Sequence, residues 1–383
     1  MPVHGGVPVA IAQLASGLVT AGHEVIVIAN RLSNDDTTAE IADHPDGYKV
    51  YRVSGVPYPF DHEYTISVFP GKKIKKILDD FKPSVIHVHT PWGMLQDAST
   101  AWARKNKIAV VGTNHIMAEN ADASIGILGP LSLVISPMVA RFTHKKLDKC
   151  QIITAPTKTA LEIMKAESRK TPSVPVTNGI DTEYYAPRSS EYASQYGRYI
   201  ASVGRLAQEK HIDLLLDAVK IASSTYPDIK LLIAGRGPML ENLKAQASQL
   251  NIEKNVVFLG YVSDDQKVDL LSGAVCYVNA GPAELQCIVA LESLSCNTPV
   301  ILANKGATVE LVVPEKNGFL FDYPDADDLA LQIKKIWQSG WTKDAIDPYA
   351  RTKMINEHSQ EISIEKYNQV YHRAIEMINS KNI

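Results

Sequence analysis

Hydrophobic positions along this chain follow two alternating patterns. Short β-branched runs, each closed by a polar turn, alternate with stretches where apolar residues return every three or four positions. In the first half HEVIVIAN, KVYRV, SVIHVHT, IAVVGTNH and QIITAPT read as strands, and AIAQLASGLVTAGH reads as a helix. The second half repeats the scheme with RYIASVGRL, IKLLIAGRG, VVFLGYV, VCYVNAG and TPVILAN, separated by helical stretches such as HIDLLLDAVKIASS and MLENLKAQASQL. Near-continuous apolar strands alternating with helices belong to parallel sheets covered on both faces. Two such series predict two doubly wound α/β domains. A chain of 383 residues also exceeds what one core usually serves.

The polar stretch VTNGIDTEYYAPRSSEYASQYGR, with Asn178-Gly179 and Pro187, separates the two series. The expected division is 1–180, 181–360 and a C-terminal helix over 361–383. That helix is amphipathic, with Ile362, Ile364, Tyr367, Val370, Tyr371, Ile375 and Met377 on its apolar stripe. The opening MPVHGGV reads as the turn after a first strand, with the strand itself missing through truncation or a late start.

Composition narrows the function classes. The formal net charge is -3, so no global basic field argues for nucleic acid. Cys150, Cys276, Cys287 and Cys296 match no metal spacing and read as reduced packing residues of a cytoplasmic protein. No signal-peptide pattern is read at the front. Ala123–Ala140 is 18 residues without a charge, close to a membrane span in length. Gly126, Gly129, Pro130 and Pro137 interrupt it, so it reads as a buried or interfacial helical pair.

Five stretches carry candidate chemistry. Gly204 and Arg205 follow a strand, and Lys210 stands at the next helix start. Cations at a helix N-terminus oppose the macrodipole, so an anion site is one reading and solvated surface cations the other. Gly235 and Gly237 in IAGRGPML fit a phosphate loop or a tight turn equally well. Asp325 and Asp327 read as a helix cap rather than a metal site. Asn114, His115 and Glu119 cluster at a strand end, where a doubly wound domain presents its crevice, or else His115 is a core histidine. In GPAELQCIVALESLSCNTPV, Glu292 sits inside an apolar helix two turns beyond Glu284. A buried carboxylate needs donors. Ribose hydroxyls on Glu292, a diphosphate on the helix N-terminus that opens at Cys287 and Ile288, and hexose hydroxyls on Glu284 would meet that need. A structural ion pair is the other reading of Glu292.

The E-x7-E pair, GR(x4)K, GRGP, VVFLGYV, TPVILAN and NGFLF stand in the order seen in family 4 retaining glycosyltransferases, which the chain resembles over nearly its whole length. PVHGGV is similar to their glycine-rich first loop and NGID(x4)AP to their inter-domain link. Within the family it most resembles the bacterial diacylglycerol glucosyltransferase-like branch. The resemblance implies the GT-B fold: two Rossmann-like domains facing across a cleft, and a C-terminal helix crossing back to the first. It implies Arg205 and Lys210 on the donor diphosphate, Glu292 on the ribose and Glu284 on the transferred sugar. It further implies His115 near that sugar, Gly5, Gly6, Gly204, Gly235, Cys287 and Ile288 along the donor, and Glu310 just beyond it. Asn114, His115 and Glu119 fall on the acceptor side. Two positions depart from the family pattern, His211 for a glycine and ELQC at 284–287 for EGFG.

The expected reaction moves a hexose with retention from a nucleotide diphosphate sugar, UDP-glucose before GDP-mannose, without a metal or other cofactor. The cations would stabilise the leaving diphosphate. No pair of carboxylates is arranged as a hydrolase needs. The expected acceptor is a membrane lipid at an anionic surface, because Ala123–Ala140 is followed by Arg141, His144, Lys145, Lys146 and Lys149, with GKKIKKILDDFK as a second basic run. That makes a peripheral enzyme on the cytoplasmic face. A soluble sugar acceptor, an inactive nucleotide-binding relative and a sugar-nucleotide epimerase are the alternatives.

Overall fold

The computed structural model describes residues 6–31, 41–58, 61–90, 93–115, 146–165, 171–338 and 349–380. Gly5, Glu119 and the Ala123–Ala140 stretch therefore lie outside the described residues. The chain forms two units, Met1–Gly179 with Gln360–Ile383, and Ile180–Ser359.

The first unit opens on α1 (Gly6–Thr20), β1 (Ile26–Asn30), β2 (Ile41–Asp43) and β3 (Lys49–Val53). A hairpin of β4 (Val56–Tyr58) and β5 (Asp61–Ile66) leads to α2 (Gly71–Phe81) and β6 (Val85–His89). Then follow α3 (Met94–Lys105), β7 (Ala109–Thr113), β8 (Ile152–Ala155), α4 (Lys158–Lys165) and β9 (Ser173–Pro175). Its strands form two main groups, in the orders β1-β3-β2 and β6-β7-β8-β9. The pairing is parallel except between β2 and β3 and within the hairpin.

The second unit runs α5 (Glu191–Tyr196), β10 (Ile200–Val203), α6 (Ile212–Ser223), β11 (Leu231–Ala234), α7 (Leu240–Gln249) and β12 (Val256–Gly260). It continues through α8 (Asp264–Gly273), β13 (Cys276–Asn279), α9 (Ile288–Ser295), β14 (Val300–Ala303), β15 (Gly318–Phe321), α10 (Ala326–Gln338) and α11 (Tyr349–His358). Its six strands are all parallel in the order β12-β11-β10-β13-β14-β15. Strands β11, β13 and β14 are buried at every residue, as a sheet sandwiched between helices requires. One apolar cluster joins β10, β11 and β13 to α6 and α10 through Leu215, Val219 and Ile333. Another joins β13 and β14 to α9 and α11 through Leu291, Leu294 and Met354.

Local chemistry sets the helix starts. Ser263 and Gln266 form a reciprocal capping box on α8. Asp325 accepts from the backbone N–H groups of Asp327 and Asp328 ahead of α10, which is the geometry of a cap. The C-terminal helix α12 (Gln360–Asn379) belongs to the first unit and buries Ile364, Tyr367, Val370, Tyr371 and Ala374. It crosses α1 at Gly17, where a Cβ would come within 2.7 Å of the Ile364 side chain.

Candidate functional site

In the second unit the chain steps outward from β10 to β12, then restarts on the other side of β10 with β13. This reversal is a topological switch point, where loops at the carboxyl ends of two neighbouring strands diverge and leave a crevice. The Gly204–Lys210 segment leaves β10 there, and the Gly281–Cys287 segment leaves β13.

The two segments touch. A Cβ on Gly281 would lie 2.6 Å from the Glu209 carbonyl oxygen, so only glycine permits this approach. Lys210 Nζ donates to Glu284 Oε1 at 2.5 Å, and Asn279 Nδ2 donates to the same oxygen at 3.0 Å. The Asn279 Oδ1 accepts from the Gly281 N–H at 3.0 Å and so fixes the turn out of β13. Burial opposes the charge on Lys210, but Glu284 outweighs it and holds the ammonium above its usual range. Arg205 donates to Glu209 at 2.6 Å and remains 61% exposed, free to reach a ligand. His211 takes a left-handed conformation, φ +47°, ahead of α6. Glycine adopts that conformation freely; here the imidazole is held by the Tyr323 hydroxyl at 3.0 Å.

The glycines of IAGRGPML have a packing role. A Cβ on Gly235 would fall 1.8 Å from the Gly204 carbonyl oxygen, and one on Gly237 would fall 2.3 Å from that of Leu206. Both positions let the turn after β11 lie against the turn after β10. This packing is what the tight-turn reading expects.

Cys287 stands at φ +54° before the first residue of α9, with Asn279 Nδ2 3.1 Å from its sulfur. Burial, then the Glu284 charge, push its thiol up to about 11, so it is neutral at pH 7. Ile288 begins the helix. Glu292 is 1% exposed, and its Oε1 accepts from Lys267 Nζ at 2.8 Å. Its Oε2 is buried without a donor at good hydrogen-bonding geometry, although the Tyr185 hydroxyl interacts with the carboxyl. Burial raises the carboxyl above its usual range, against the pull of Lys267 and Tyr185. The ion-pair reading of Glu292 thus holds for one oxygen and leaves the second without a well-formed hydrogen bond. Glu310 is the exposed last residue of a 3-10 turn, Gly306–Glu310. A Cβ on Gly306 would meet the Pro282 carbonyl at 3.1 Å, so this turn borders the Gly281–Glu284 segment.

The first unit holds its own polar cluster at the ends of β6 and β7. Asn114 is buried, its N–H donating to the Thr154 carbonyl at 3.2 Å. His115 Nε2 lies 2.9 Å from His89 Nδ1, and the two rings stack at 5.2 Å. His87 is held between the Tyr371 hydroxyl at 2.9 Å and Thr113 Oγ1 at 2.6 Å. Burial lowers His115 to about 4 and His87 to about 3, and lowers His89 well below its usual range. All three imidazoles are neutral at pH 7, so the His89–His115 contact is one N–H donated to one lone pair. Gly6 is the exposed first residue of α1.

Sequence reasoning missed Lys267, Asn279, Tyr185, His87 and His89. A buried Glu292 called for a cation, yet only the packing of α8 against α9 selects Lys267. His87 and His89 sat in view within VIHVH, two residues apart and so on one face of a strand.

Residues 190–353 match the model described as glycosyl transferases group 1, and residues 4–184 match Glycosyltransferase Family 4. The chain belongs to the family 4 glycosyltransferases. It is 28% identical to an uncharacterized glycosyltransferase of Methanocaldococcus jannaschii, over 98% of this chain and 96% of that one. It is 26% identical to a GDP-mannose-dependent alpha-(1-6)-phosphatidylinositol dimannoside mannosyltransferase of Mycobacterium tuberculosis, covering 85% and 82%. It is 24% identical to the alpha-monoglucosyldiacylglycerol synthase of Streptococcus pneumoniae, covering 97% and 82%. The crystal structure of Anabaena Alr3699/HepE in complex with UDP and glucose matches with a TM-score of 0.70 at 17% identity, over 96% of this chain and 95% of that one. The fold is therefore GT-B, and the activity class is glycosyl transfer from a nucleotide sugar.

Proposed function

We propose that this family 4 enzyme transfers a hexose with retention from UDP-glucose to a hydroxyl of a membrane lipid, without a metal. The observation that carries the donor site is the Glu292 carboxylate, fully buried in α9 with one oxygen lacking a well-formed hydrogen bond. Ribose hydroxyls supply donors where a side-chain amine already neutralises the charge. Arg205, Lys210 and the N–H groups opening α9 then receive the diphosphate, and Glu284 serves the hexose. As the glycosidic bond breaks, negative charge grows on the leaving diphosphate. Two fixed cations and a helix N-terminus stabilise that charge with no metal ion required. Front-face attack lets the departing phosphate take the acceptor proton, so no hydrolase-like carboxylate pair is needed.

Support for UDP-glucose and for a lipid comes from the neighbours' names. One solved relative is titled as a complex with UDP and glucose, and the pneumococcal relative is named as a glucosyldiacylglycerol synthase. The mycobacterial relative is named for GDP-mannose, which makes that the competing donor. The test is turnover with labelled UDP-glucose or GDP-mannose on vesicles containing diacylglycerol, with and without EDTA. We expect an α-linked glucolipid, formed equally in EDTA. Transfer restored only by magnesium or manganese overturns the metal-free mechanism. Transfer from GDP-mannose alone overturns the donor, and transfer only to soluble sugars overturns the acceptor.

A further inference from the structure

Strand β13 ends on Asn279, which is buried like the rest of the strand. A strand covered on both faces of a parallel sheet reads as a continuous apolar run, and asparagine is a residue that strands avoid. Cys276, Tyr277 and Val278 keep that rule and Asn279 breaks it. A buried carboxamide needs partners, and this one has three. Oδ1 accepts from the Gly281 N–H at 3.0 Å, while Nδ2 donates to Glu284 Oε1 at 3.0 Å and lies 3.1 Å from Cys287 Sγ. The reverse orientation would turn the NH2 toward the Gly281 N–H and the amide oxygen toward the carboxylate, so the contacts fix the amide one way round. An oxygen acceptor alone satisfies Gly281, and Asp, Ser or Thr supplies one equally well. Accepting from Gly281 while donating to Glu284 requires the amide.

Glu284 has a second donor on the same oxygen, Lys210 Nζ. The two donors differ in stiffness. Lys210 reaches over from the turn after β10 on a flexible four-carbon stem, and in the function proposed above its ammonium also serves the diphosphate. Asn279 is a short side chain at the end of a buried strand and stays with the sheet. The segment 281–287 between β13 and α9 has no helix or strand of its own, so side-chain contacts set where Glu284 stands. Cys287 precedes the first residue of α9, and Tyr277 Oη lies 3.7 Å from its sulfur. One amide thus ties Glu284 to the sheet and to the start of α9.

We propose that Asn279 is a positioning residue of the transfer reaction: its carboxamide holds the Glu284 carboxylate, in register with the start of α9, for a hydroxyl-bearing sugar while Lys210 serves the diphosphate. The role rests on the reading of Glu284 as the hexose ligand and adds to it a residue that acts through Glu284.

The test replaces Asn279 in two ways. Asn279→Asp keeps the acceptor for Gly281 and sets a second carboxylate against Glu284. Asn279→Ser keeps an acceptor and falls short of Glu284. The titratable groups around the amide are Glu284, Cys287 and Tyr277, with Lys210 and its neighbour Glu209 on the turn after β10. Two carboxyls in contact share a proton, and the protonated one then donates to the other in place of the amide. Turnover is measured with labelled UDP-glucose and with GDP-mannose on diacylglycerol vesicles. Both variants are expected to lower kcat by about 10- to 100-fold near neutral pH, with donor KM changed by less than about threefold. Relative to the parent, Asn279→Asp regains kcat as pH falls toward about 5.5 and Asn279→Ser does not. In a Glu284→Ala background, Asn279→Ser should cost less than about twofold. The carboxyl carbon signal of Glu284, which needs no turnover, should titrate at a higher midpoint in Asn279→Asp than in the parent. Parental kcat in both variants, a loss in Asn279→Asp that acid does not relieve, additive losses in the double variant or an unshifted Glu284 titration overturns the positioning role. Should Asn279→Asp not fold, the cycle with Asn279→Ser and Glu284→Ala decides alone. Parental kcat in Glu284→Ala overturns the hexose reading of Glu284 instead.

Discussion

At the scale of single residues, the carboxylates and cations near α9 form two nested pairs. Lys210 with Glu284 is partly exposed, and Lys267 with Glu292 is buried. Glu292 was legible because a charge stands inside an apolar helix, Arg205 and Lys210 because cations at a helix start oppose its dipole, and Glu284 through its spacing from Glu292. Their partners were not, because Asn279 and Lys267 reach the site only through strand pairing and helix packing. We expect Lys210→Ala to lower kcat by about 10²–10³, the loss seen when one preorganised donor to a developing anion is removed. Unchanged kcat at saturating donor would sink the diphosphate assignment. The histidine cluster makes a second residue-scale prediction. His87 and His115 are held at about 3 and about 4 in the folded state, below the unfolded value near 6.5. A lowered folded value means the unfolded chain binds more protons. The stability is present above about pH 6.5 and is lost as pH falls toward 4. Each imidazole contributes a slope of about 1.4 kcal/mol per pH unit within that window. Urea unfolding between pH 7.5 and 4.5 checks this, with His87→Asn expected to make the slope shallower by one proton. Imidazole NMR signals from these residues titrating with a midpoint near 6.5 would refute it.

At the scale of elements, the long apolar runs became the strands and helices that periodicity indicated. β10, β11, β13 and β14 lie within the runs read from sequence, and α6 covers Ile212–Ser223. Among the elements that escaped are β2, β4, β5, β9 and α11. They are short or polar, and long-range pairing or packing rather than local pattern selects them: Ile41 of β2 lies opposite Tyr51 of β3, and β4 exists only against β5. The turns show the same division. A glycine pair after β11 is visible in sequence, but the close backbone approach to Gly204 and Leu206 that it permits is not. Gly235→Ala is therefore expected to cost at least about 2 kcal/mol in denaturant unfolding, because the new Cβ meets backbone that cannot rotate away. Gly197→Ala, at φ +71° with open space around it, is the control and should cost about 1 kcal/mol from backbone strain alone. Equal costs would show that conformation rather than close approach sets the requirement at Gly235.

At the scale of the whole molecule, the question is where the enzyme works, and the first unit carries the observations that bear on it. No helix among the described residues is long and apolar enough to cross a membrane. Phe69 is 85% exposed beside Val68, and its N–H points at Met94 Sδ, another exposed apolar side chain. Directly after it, α2 turns Ile74, Ile77 and Leu78 inward and leaves Lys72, Lys75 and Lys76 exposed. An apolar tip with adjacent lysines suits the interface of an anionic bilayer, each basic residue contributing about 1 kcal/mol near the surface. Its lysines belong to the GKKIKKILDDFK run that sequence reading named beside Ala123–Ala140, and the apolar tip at Val68 and Phe69 is what the structure adds. We expect the protein to float with vesicles rich in anionic lipid at low salt and to dissociate as salt screens the lysines. Replacing Lys72, Lys75 and Lys76 with glutamate should weaken vesicle binding by about 100-fold or more, and Phe69→Asp should add to the loss. The thermal shift given by UDP-glucose should stay intact in both variants, which separates lost docking from lost folding. A protein that stays off such vesicles at low salt, with these variants glucosylating lipid as well as the parent, would leave the lipid acceptor without support and make a soluble sugar the acceptor to pursue.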